Sequence, residues 1–353
     1  MAKGRDKKRI NWFPGHMARA TRELREVRSM IDAIVEVADA RLPRASRNPI
    51  FLKDTPEKPH LLVLSHADLA DPDATKLWLD DFSRQSVTAL ACDLLNARDI
   101  ENIRDHLLSI HKPLLEIAQA RGRRSRPLRV VVAGVPNTGK STLINQLVGK
   151  RSRNVAARPG VTRKIEWLRS GSELTFLDTP GILPTRIEDE KEGLALAAAG
   201  LIDDTLFSVE QVALSLTGHL LKHYPEEMLE RYGVSLDPNT GAYLARVEDD
   251  SDVDLFPGDV DAAEFIHSDS DLSRRNFNDT DLTRRCADVD DLAHRDDDTT
   301  DLGMTFRSMA YRMGCVLSDD KPDIDRMSRV LLSDFRSGRI GRITLEHVST
   351  LSS

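Results

Sequence analysis

The sequence predicts an α/β fold followed by a smaller, mainly helical C-terminal domain. Through the first half of the chain, short apolar runs alternate with segments of helical spacing, which is typical of a sheet covered by helices. After about Pro184 the spacing is helical and strand-forming residues become few. The chain has 353 residues, enough for two domains that each bury a core.

The individual elements follow from these patterns. Buried parallel strands are predicted by apolar runs that end at polar residues or glycine, namely residues 31–41, 60–68, 86–93, 128–134 and 172–181. Helices are predicted by the spacing of apolar residues in residues 11–30, 98–120, 140–150 and 188–233, and again from about Met304. Since parallel strands carry functional loops at their carboxyl ends, we expect the chemistry of the protein to lie there.

Composition argues against several classes of protein. Apolar residues make up 40% and charged residues 30% of the chain, and no apolar run approaches the length of a membrane-spanning helix. The basic N-terminus is not followed by an apolar segment, so we expect no secretory signal. Cys92, Cys286 and Cys315 have no metal-ligand spacing, which argues against disulfides or zinc and favours the reducing cytoplasm.

Charge is unevenly distributed along the chain. Residues 248–301 contain 17 Asp and 2 Glu against 5 Arg, a balance of −14, so the rest carries +7 of the total −7. A basic body is typical of proteins that bind polyanions. The acidic segment also has apolar residues on a five-residue grid that resembles a pentapeptide repeat: Leu272, Phe277, Leu282, Ala287, Leu292 and Leu302. A linker without fixed structure and an ordered repeat coil both fit this pattern.

A phosphate-binding loop is predicted between the strand at residues 128–134 and the helix that follows it. Residues 134–141, GVPNTGKS, match G-x-x-x-x-G-K-[ST] at every fixed position. Glycines let backbone amides surround phosphate oxygens, the lysine reaches the β- and γ-phosphates, and the hydroxyl of Ser141 can ligate Mg²⁺. The nucleotide contacts expected in this segment are those of Asn137, Thr138, Gly139, Lys140, Ser141 and Thr142.

Two further segments are typical of a triphosphate site. Asp178 ends an apolar strand in the sequence DTPG, where its carboxylate can hold Mg²⁺ through water and the Gly181 amide can contact a γ-phosphate. Upstream of it, Thr162 in RPGVT offers a hydroxyl that can close over Mg²⁺. An ordinary loop residue is the alternative interpretation of Thr162.

A base-reading segment is found ahead of the phosphate-binding loop rather than after it. Nothing after Gly181 fits N-K-x-D, but Ser65-His66-Ala67-Asp68 directly follows an apolar strand. The Asp68 carboxylate can accept hydrogen bonds from guanine N1–H and from the exocyclic amine, a pattern that adenine does not offer. A binding site depends on the positions of its residues in space and not on their order in the chain. Moving the base-reading segment ahead of the phosphate-binding loop therefore leaves the site intact if the original chain ends are close.

The order of these motifs resembles that of the circularly permuted GTPases. FPGHM (13–17), DARLPRASRNP (39–49), PNTGKSTLIN, RPGVT and DTPGIL occur as in the bacterial ribosome biogenesis GTPase A family, of the YlqF type. The resemblance covers about residues 10–235 and 307–346. It implies a P-loop GTPase fold with circularly permuted motif order, a helical RNA-binding domain, and a role in late assembly of the large (50S) ribosomal subunit.

The resemblance also implies roles for individual residues. Ile182 stands where many GTPases have the glutamine that orients water, and the family assigns this role to the histidine of FPGHM, here His16. Asn137 matches an asparagine linked to K⁺ binding. Purely structural roles are the alternatives for His16 and Asn137. The second base-contacting loop of the family corresponds to Asp93 and Leu94.

The chain departs from the family pattern at the base reader. Ser65 and His66 stand where the family has asparagine and lysine, and Asp93-Leu94 lacks the expected small polar pair. Serine is shorter and can bridge fewer groups, and imidazole replaces the alkyl stem that covers the base. We therefore expect GTP to be preferred over ATP, with a weaker affinity than the family pattern would give.

Together, these observations predict three regions. A circularly permuted GTPase domain is expected at residues 1–184, a helical RNA-binding domain at residues 185–247 and 303–353, and an acidic insertion at residues 248–302. The expected protein is a cytoplasmic, monomeric GTPase that uses Mg²⁺, with K⁺ as a further candidate, and binds ribosomal RNA and a large-subunit precursor. The basic run at residues 325–342 is a candidate RNA contact. A nucleotide-binding assembly scaffold with little hydrolysis and an RNA-binding adaptor with a structural P-loop are the alternatives.

Overall fold

The computed structural model describes residues 10–11, 28–47, 55–124, 126–149, 154–155, 167–178, 186–187, 189–202, 206–236, 243–245 and 297–348. It contains two compact units, Met1–His219 together with Ser328–Ser353, and Leu220–Met327. The boundary predicted at residue 184 differs from this division, because residues 185–219 and 328–353 belong to the unit that contains the sheet. The predicted acidic insertion lies outside the described residues except at its end, where a helix begins at Asp297.

The described elements follow the predicted alternation of strands and helices. The strands are β1 (Ile10–Asn11), β2 (Ala33–Asp39), β3 (His60–Ser65), β4 (Thr88–Ala91), β5 (Leu128–Ala133), β6 (Asn154–Val155), β7 (Trp167–Ser170), β8 (Leu174–Asp178), β9 (Arg186–Ile187), β10 (Val234–Leu236) and β11 (Tyr243–Ala245). The helices are α1 (Pro72–Arg84), α2 (Ala97–Ala120), α3 (Lys140–Val148), α4 (Glu190–Ala198), α5 (Val209–His223), α6 (Pro225–Tyr232), α7 (Asp297–Arg312) and α8 (Ile324–Ser337). The helix predicted over residues 11–30 falls mainly outside the described residues.

The larger sheet of the first unit has seven strands within the described residues, in the order β4-β3-β2-β5-β8-β7-β6, and β1 and β9 form a separate antiparallel pair. Strands β4, β3, β2, β5 and β8 run parallel to one another, whereas β7 pairs antiparallel with both β8 and β6. The predicted α/β class is thus confirmed. The chain runs outward from β2 to β4 on one side and from β5 to β8 on the other, so the order reverses between β2 and β5. Ligands of open α/β sheets bind at such a switch point, beyond the carboxyl ends of the strands.

Apolar side chains cover both faces of this sheet. One cluster joins Val35 and Val37 of β2 to residues of α2 and α3, including Ile103 and Leu143, and to Phe176 of β8. The opposite face packs Leu62 and Leu64 of β3 against Trp78 and Phe82 of α1. Because β2 and β3 are buried on both faces, they hold the loops at their carboxyl ends in fixed positions.

Helix α1 was not predicted from the sequence, although its start carries two clear signals. Asp71 is the N-cap, and its carboxylate accepts hydrogen bonds from the amides of Asp73 and Ala74 at 2.8 and 3.2 Å. Pro72 occupies the first helical turn, where its missing N–H costs nothing. The antiparallel strand β7 was also missed, because four residues are too few to show a period.

The second unit combines helices with a small sheet. Met228 and Tyr232 of α6 are buried, as are Phe306 and Met309 of α7. Strands β10 and β11 form an antiparallel pair, so this region is not exclusively helical. Among the described residues, none of the helices has the length and apolar character needed to cross a membrane.

Candidate nucleotide-binding site

The phosphate-binding loop connects β5 to α3 at the carboxyl edge of the sheet. Gly134 has φ +151°, and a Cβ atom there would clash with the carbonyl oxygen of Val37 on the neighbouring strand β2. Gly139 has φ +85° and is the N-cap of α3, where no side chain makes a capping hydrogen bond. Both glycines are required by the backbone, and the first amides of α3, which no side chain caps, are available to bind an anion.

Polar side chains of the loop are arranged around one carbonyl. Val135 O accepts hydrogen bonds from Thr138 Oγ1 at 3.0 Å and from Lys140 Nζ at 2.6 Å. The Lys140 ammonium group therefore lies against the loop that would surround phosphates. Ser141 and Thr142 are exposed in the first turn of α3, so their hydroxyls are accessible to a metal ion or a phosphate. The residues present fit a Mg²⁺–nucleotide.

The base-reading segment is joined to the phosphate-binding loop through Ser65. Its side chain is fully buried at the end of β3, and Oγ lies 2.9 Å from the carbonyl oxygen of Ala38 and 2.8 Å from that of Thr138. A hydroxyl has a single proton, so it donates to one of these carbonyls at a time. We interpret Ser65 as a residue that positions the loop rather than one that touches the nucleotide, because none of its surface is accessible.

A buried ion pair supports the same loop from below. Asp39, at the end of β2, is paired with Arg41, whose Nε and Nη2 lie 3.0 and 2.7 Å from the two carboxylate oxygens. His66 has φ +56° and places Nδ1 3.2 Å from the Asp39 carboxylate. Burial opposes ionisation of Asp39, but the charge of Arg41 and the hydrogen bonds from His66 and Arg41 outweigh it and hold the pKa well below 3.8. The ring of His66 is thereby held next to β2.

The second base-contacting loop packs against the phosphate-binding loop. Leu94 is 6% exposed, and a Cβ atom on Gly139 would lie 2.8 Å from Leu94 Cδ1. Asp93 Oδ1 accepts a hydrogen bond from the Leu95 amide at 2.8 Å, which forms a tight turn. Asp68, by contrast, is exposed on its loop. Of the predicted base contacts, Asp68 is therefore accessible to a ligand, whereas Leu94 packs under the loop.

The C-terminal end of α4 is a meeting point of three segments. Its last carbonyls, those of residues 197–200, all accept hydrogen bonds from side chains. Arg336 of α8 donates to the first two at 2.8 and 3.0 Å, and Arg41 donates to the third at 3.4 Å. Asn137 Nδ2 of the phosphate-binding loop donates to the fourth, Gly200 O, at 2.8 Å. The candidate K⁺ ligand is thus also a structural contact.

Several predicted site residues lie outside the described residues: His16, Thr162 and Gly181. Asp178 ends β8, opposite Val132 of β5, but its side chain is not among those described. Within the described part of the chain, no group of three or more His, Cys, Asp or Glu side chains could hold a metal ion. Metal ligation by Asp178 and Thr162 therefore stays a prediction.

Sequence reasoning missed the Asp39–Arg41 pair and the use of the C-terminal arginines. Within the run at residues 325–342, Arg336 donates to carbonyls at the end of α4, and Arg342 donates to Ala67 O and Ala70 O at 2.7 and 2.9 Å. RNA contact by this run stays a prediction. The signal for Asp39 was its position at the end of a predicted strand. Nothing in the local sequence indicates where the two arginines bind.

The glycine-bent loop between β5 and α3, with the base-reading loop supplied by β3 earlier in the chain, defines a circularly permuted P-loop nucleotide-binding protein. Residues 129–233 match the family model described as 50S ribosome-binding GTPase. Ribosome biogenesis GTPase A of Priestia megaterium is 40% identical over 230 residues, which are 65% of this chain and 80% of that protein. The chain belongs to the ribosome biogenesis GTPase A family.

A further relative and two solved structures are also similar to this chain. Mitochondrial ribosome-associated GTPase 1 of Xenopus tropicalis is 38% identical over 235 residues, covering 64% of this chain and 74% of that protein. The structure of GDP-bound TM YlqF matches 92% of this chain and 99% of its own, with a TM-score of 0.52 and 20% identity. YlqF from T. maritima with bound GNP gives a TM-score of 0.50 at 21% identity, covering 93% of this chain and 98% of its own. These two structures support the fold.

Proposed function

We propose that this protein binds and hydrolyses GTP in ribosome assembly, during late maturation of the large (50S) subunit. The observation that carries the proposal is the uncapped N-terminus of α3 beside a base-reading loop that Ser65 joins to it. Family membership supports GTP hydrolysis, and the names of the relatives support a role at the ribosome.

The nucleotide is expected to lie across the switch point between β2 and β5. Lys140 and the first amides of α3 would bind the phosphates, and Asp68 would accept hydrogen bonds from guanine. Ser141, Asp178 and Thr162 would hold Mg²⁺, which neutralises charge on the β- and γ-phosphates when bound. Because Asn137 Nδ2 donates to Gly200 O, the Oδ1 atom is the one that can face K⁺.

The role of orienting the attacking water is assigned to His16. A neutral imidazole can accept a hydrogen bond from water, and Ile182 at the usual glutamine position cannot. Phosphoryl transfer depends mainly on positioning and charge stabilisation. We therefore expect the catalytic site to be completed only when the protein is bound to the ribosomal particle. The partners proposed are ribosomal RNA and a large-subunit precursor, bound by a monomer through the basic body of the chain.

GTP turnover with and without purified 50S and 30S subunits tests this proposal. We expect 50S particles to stimulate turnover, and His16→Ala to reduce the stimulated rate about 100-fold while nucleotide affinity is unchanged. Lys140→Ala is the matched control at the phosphates, and it should lose nucleotide binding itself. GTP turnover that 50S particles do not stimulate would contradict the proposed ribosomal function. A fully active His16→Ala variant would contradict the role given to His16.

The alternative is a nucleotide-binding scaffold with relaxed base specificity and little hydrolysis. The burial of Ser65 and the turn of His66 toward Asp39 favour it, because neither side chain then covers the base. Equal affinity for GTP and ATP, with turnover that no particle stimulates, would support the scaffold instead.

A further inference from the structure

We infer that residues 342–346 set base specificity by holding the base-reading loop, and that Arg342 is the positioning residue for Asp68. The inference rests on the proposed guanine contact of Asp68 and deepens it. This segment follows α8 and is more than 270 residues away in sequence from the loop that it binds. No motif of the nucleotide site includes it.

The contacts of this segment surround Asp68 on both sides. Arg342 Nη2 donates to Ala67 O at 2.7 Å, and Nε donates to Ala70 O at 2.9 Å. The Ile343 amide donates to Leu69 O at 2.9 Å. The Arg342 guanidinium group therefore binds Ala67, immediately before Asp68, and Ala70, two residues after it. The backbone hydrogen bond from Ile343 holds Leu69, which lies between Asp68 and Ala70.

Residues 342–346 also contact the start of α1. The Asp71 amide donates to Thr344 Oγ1 at 3.1 Å, and Thr344 is fully buried. Ile343 is also buried, at 1% exposure. Gly338, with φ +75°, lies so close to Leu69 that a Cβ atom would stand 2.8 Å from Leu69 Cδ2. The base-reading loop thus has close partners on its whole length except at exposed Asp68.

The segment can hold the loop because it is itself anchored to rigid elements. The Leu345 amide donates to Arg41 O at 2.8 Å, next to the buried Asp39 pair. The Glu346 carboxylate accepts from the amides of Arg44 and Ala45 at 2.7 and 3.0 Å. Trp78 Nε1 of α1 donates to Glu346 O at 2.9 Å. Residues 342–346 therefore fix the position of Asp68 relative to β2 and α1.

This arrangement offers a physical reason for the departures at Ser65 and His66. A base-reading carboxylate must be held to within a fraction of an ångström to make two aligned hydrogen bonds. The shorter Ser65 side chain gives the loop one direct connection to the phosphate-binding loop. Residues 342–346 supply the further connections from outside the motif.

A double-mutant cycle in the full-length chain tests the inference. Arg342→Ala, Asp68→Ala and the double variant are titrated with fluorescent GDP, and ADP is the competitor. In the native background, Arg342→Ala should lower GDP affinity about tenfold, because a misplaced Asp68 would lose about one charge-assisted hydrogen bond to guanine. In the Asp68→Ala background the same change should cost less than about twofold, because Arg342 acts through Asp68. ADP affinity should change less than about twofold.

Arg339→Ala is the matched control. Its side chain is 52% exposed and lies 3.6 Å from Asp334. It precedes the segment by three residues and pairs with Asp334 rather than with the base-reading loop. Its GDP affinity should stay at the native value. Arg342→Lys is the second variant if Arg342→Ala fails to fold, because lysine keeps the charge but lacks the planar guanidinium whose Nε and Nη2 donate to Ala70 O and Ala67 O. It should lose a smaller share of GDP affinity and leave ADP unchanged.

Three results would overturn the inference. One is an equal loss of GDP affinity in the native and Asp68→Ala backgrounds, and another is a parallel loss for GDP and ADP, since both mean general destabilisation. The third is a native affinity for GDP in a folded Arg342→Lys chain as well as in Arg342→Ala. A native chain that binds GDP and ADP equally would overturn the proposed guanine site as well, which separates the two failures.

Discussion

The phosphate side and the base side of the candidate site are built in different ways. The phosphate side is one short segment whose glycines allow its backbone conformation, with Gly134 against Val37 and Gly139 at the N-terminus of α3. The base side is assembled from distant residues, with Asp39 and Arg41 below the loop and Arg342 beside it. The conformation of the phosphate-binding loop depends mainly on its own glycines, whereas that of the base-reading loop depends on side chains from distant parts of the sequence.

The largest expected effect is that of Asp39→Asn, which breaks the base side. The variant leaves the buried Arg41 guanidinium opposite a neutral amide, and loss of one partner of a buried pair costs about 3–5 kcal/mol of unfolding free energy. Asp68→Asn is the matched control, and as an exposed change it should cost less than about 0.5 kcal/mol. Urea unfolding at neutral pH measures both.

The pH dependence of the Asp39→Asn effect sharpens this test. The folded pKa of Asp39 lies below its ordinary value of 3.8, so the ionised carboxylate stabilises the native state above that pH. That contribution is lost as the pH falls from 3.8 toward the folded pKa. The difference in unfolding free energy between native and variant chains should therefore narrow in acid. A constant difference would mean that the Asp39 charge is not what stabilises the loop.

Gly134→Ala tests whether the phosphate side depends on its own backbone. The new Cβ atom would meet Val37 O in addition to the cost of positive φ, and we expect a loss of about 3 kcal/mol. Gly171→Ala is the control, because Gly171 has φ +60° with no atom within 4 Å of a Cβ position. It should cost about 1 kcal/mol, the backbone share alone. Equal losses in thermal unfolding would contradict the proposed clash.

Ser65→Ala gives the smallest expected effect and addresses the contact between the two sides. It removes the donor to Ala38 O and Thr138 O, and a lost buried hydrogen bond costs about 1–2 kcal/mol. GDP affinity should fall by less than about tenfold, because the Arg342 clamp remains. Ser109→Ala, on the exposed face of α2, is the control and should leave both stability and affinity unchanged. An unaltered Ser65→Ala chain would show that the two loops are independent.

The sequence could predict the phosphate side because the information is local. The parallel strands were predictable from apolar runs, and GVPNTGKS carries its conformation in its own glycines. The base-reading loop was found from Ser65 to Asp68, but its supports were not. Arg41 and Arg342 reach the loop only through the fold, and the sequence pattern around an arginine does not indicate its hydrogen-bond partner. The placement of residues 185–219 in the unit that contains the sheet likewise depends on contacts that the local sequence does not specify.

The fully bonded end of α4 has a consequence for movement in the protein. Helix C-termini carry partial negative charge, and here two guanidinium groups and one amide meet it. Unwinding or shifting the last turn of α4 would strand donors on the phosphate-binding loop, on the segment after β2 and on α8 at the same moment. Displacement of this helix end would therefore break hydrogen bonds to three separate segments at once, which couples the position of α4 to the phosphate-binding loop.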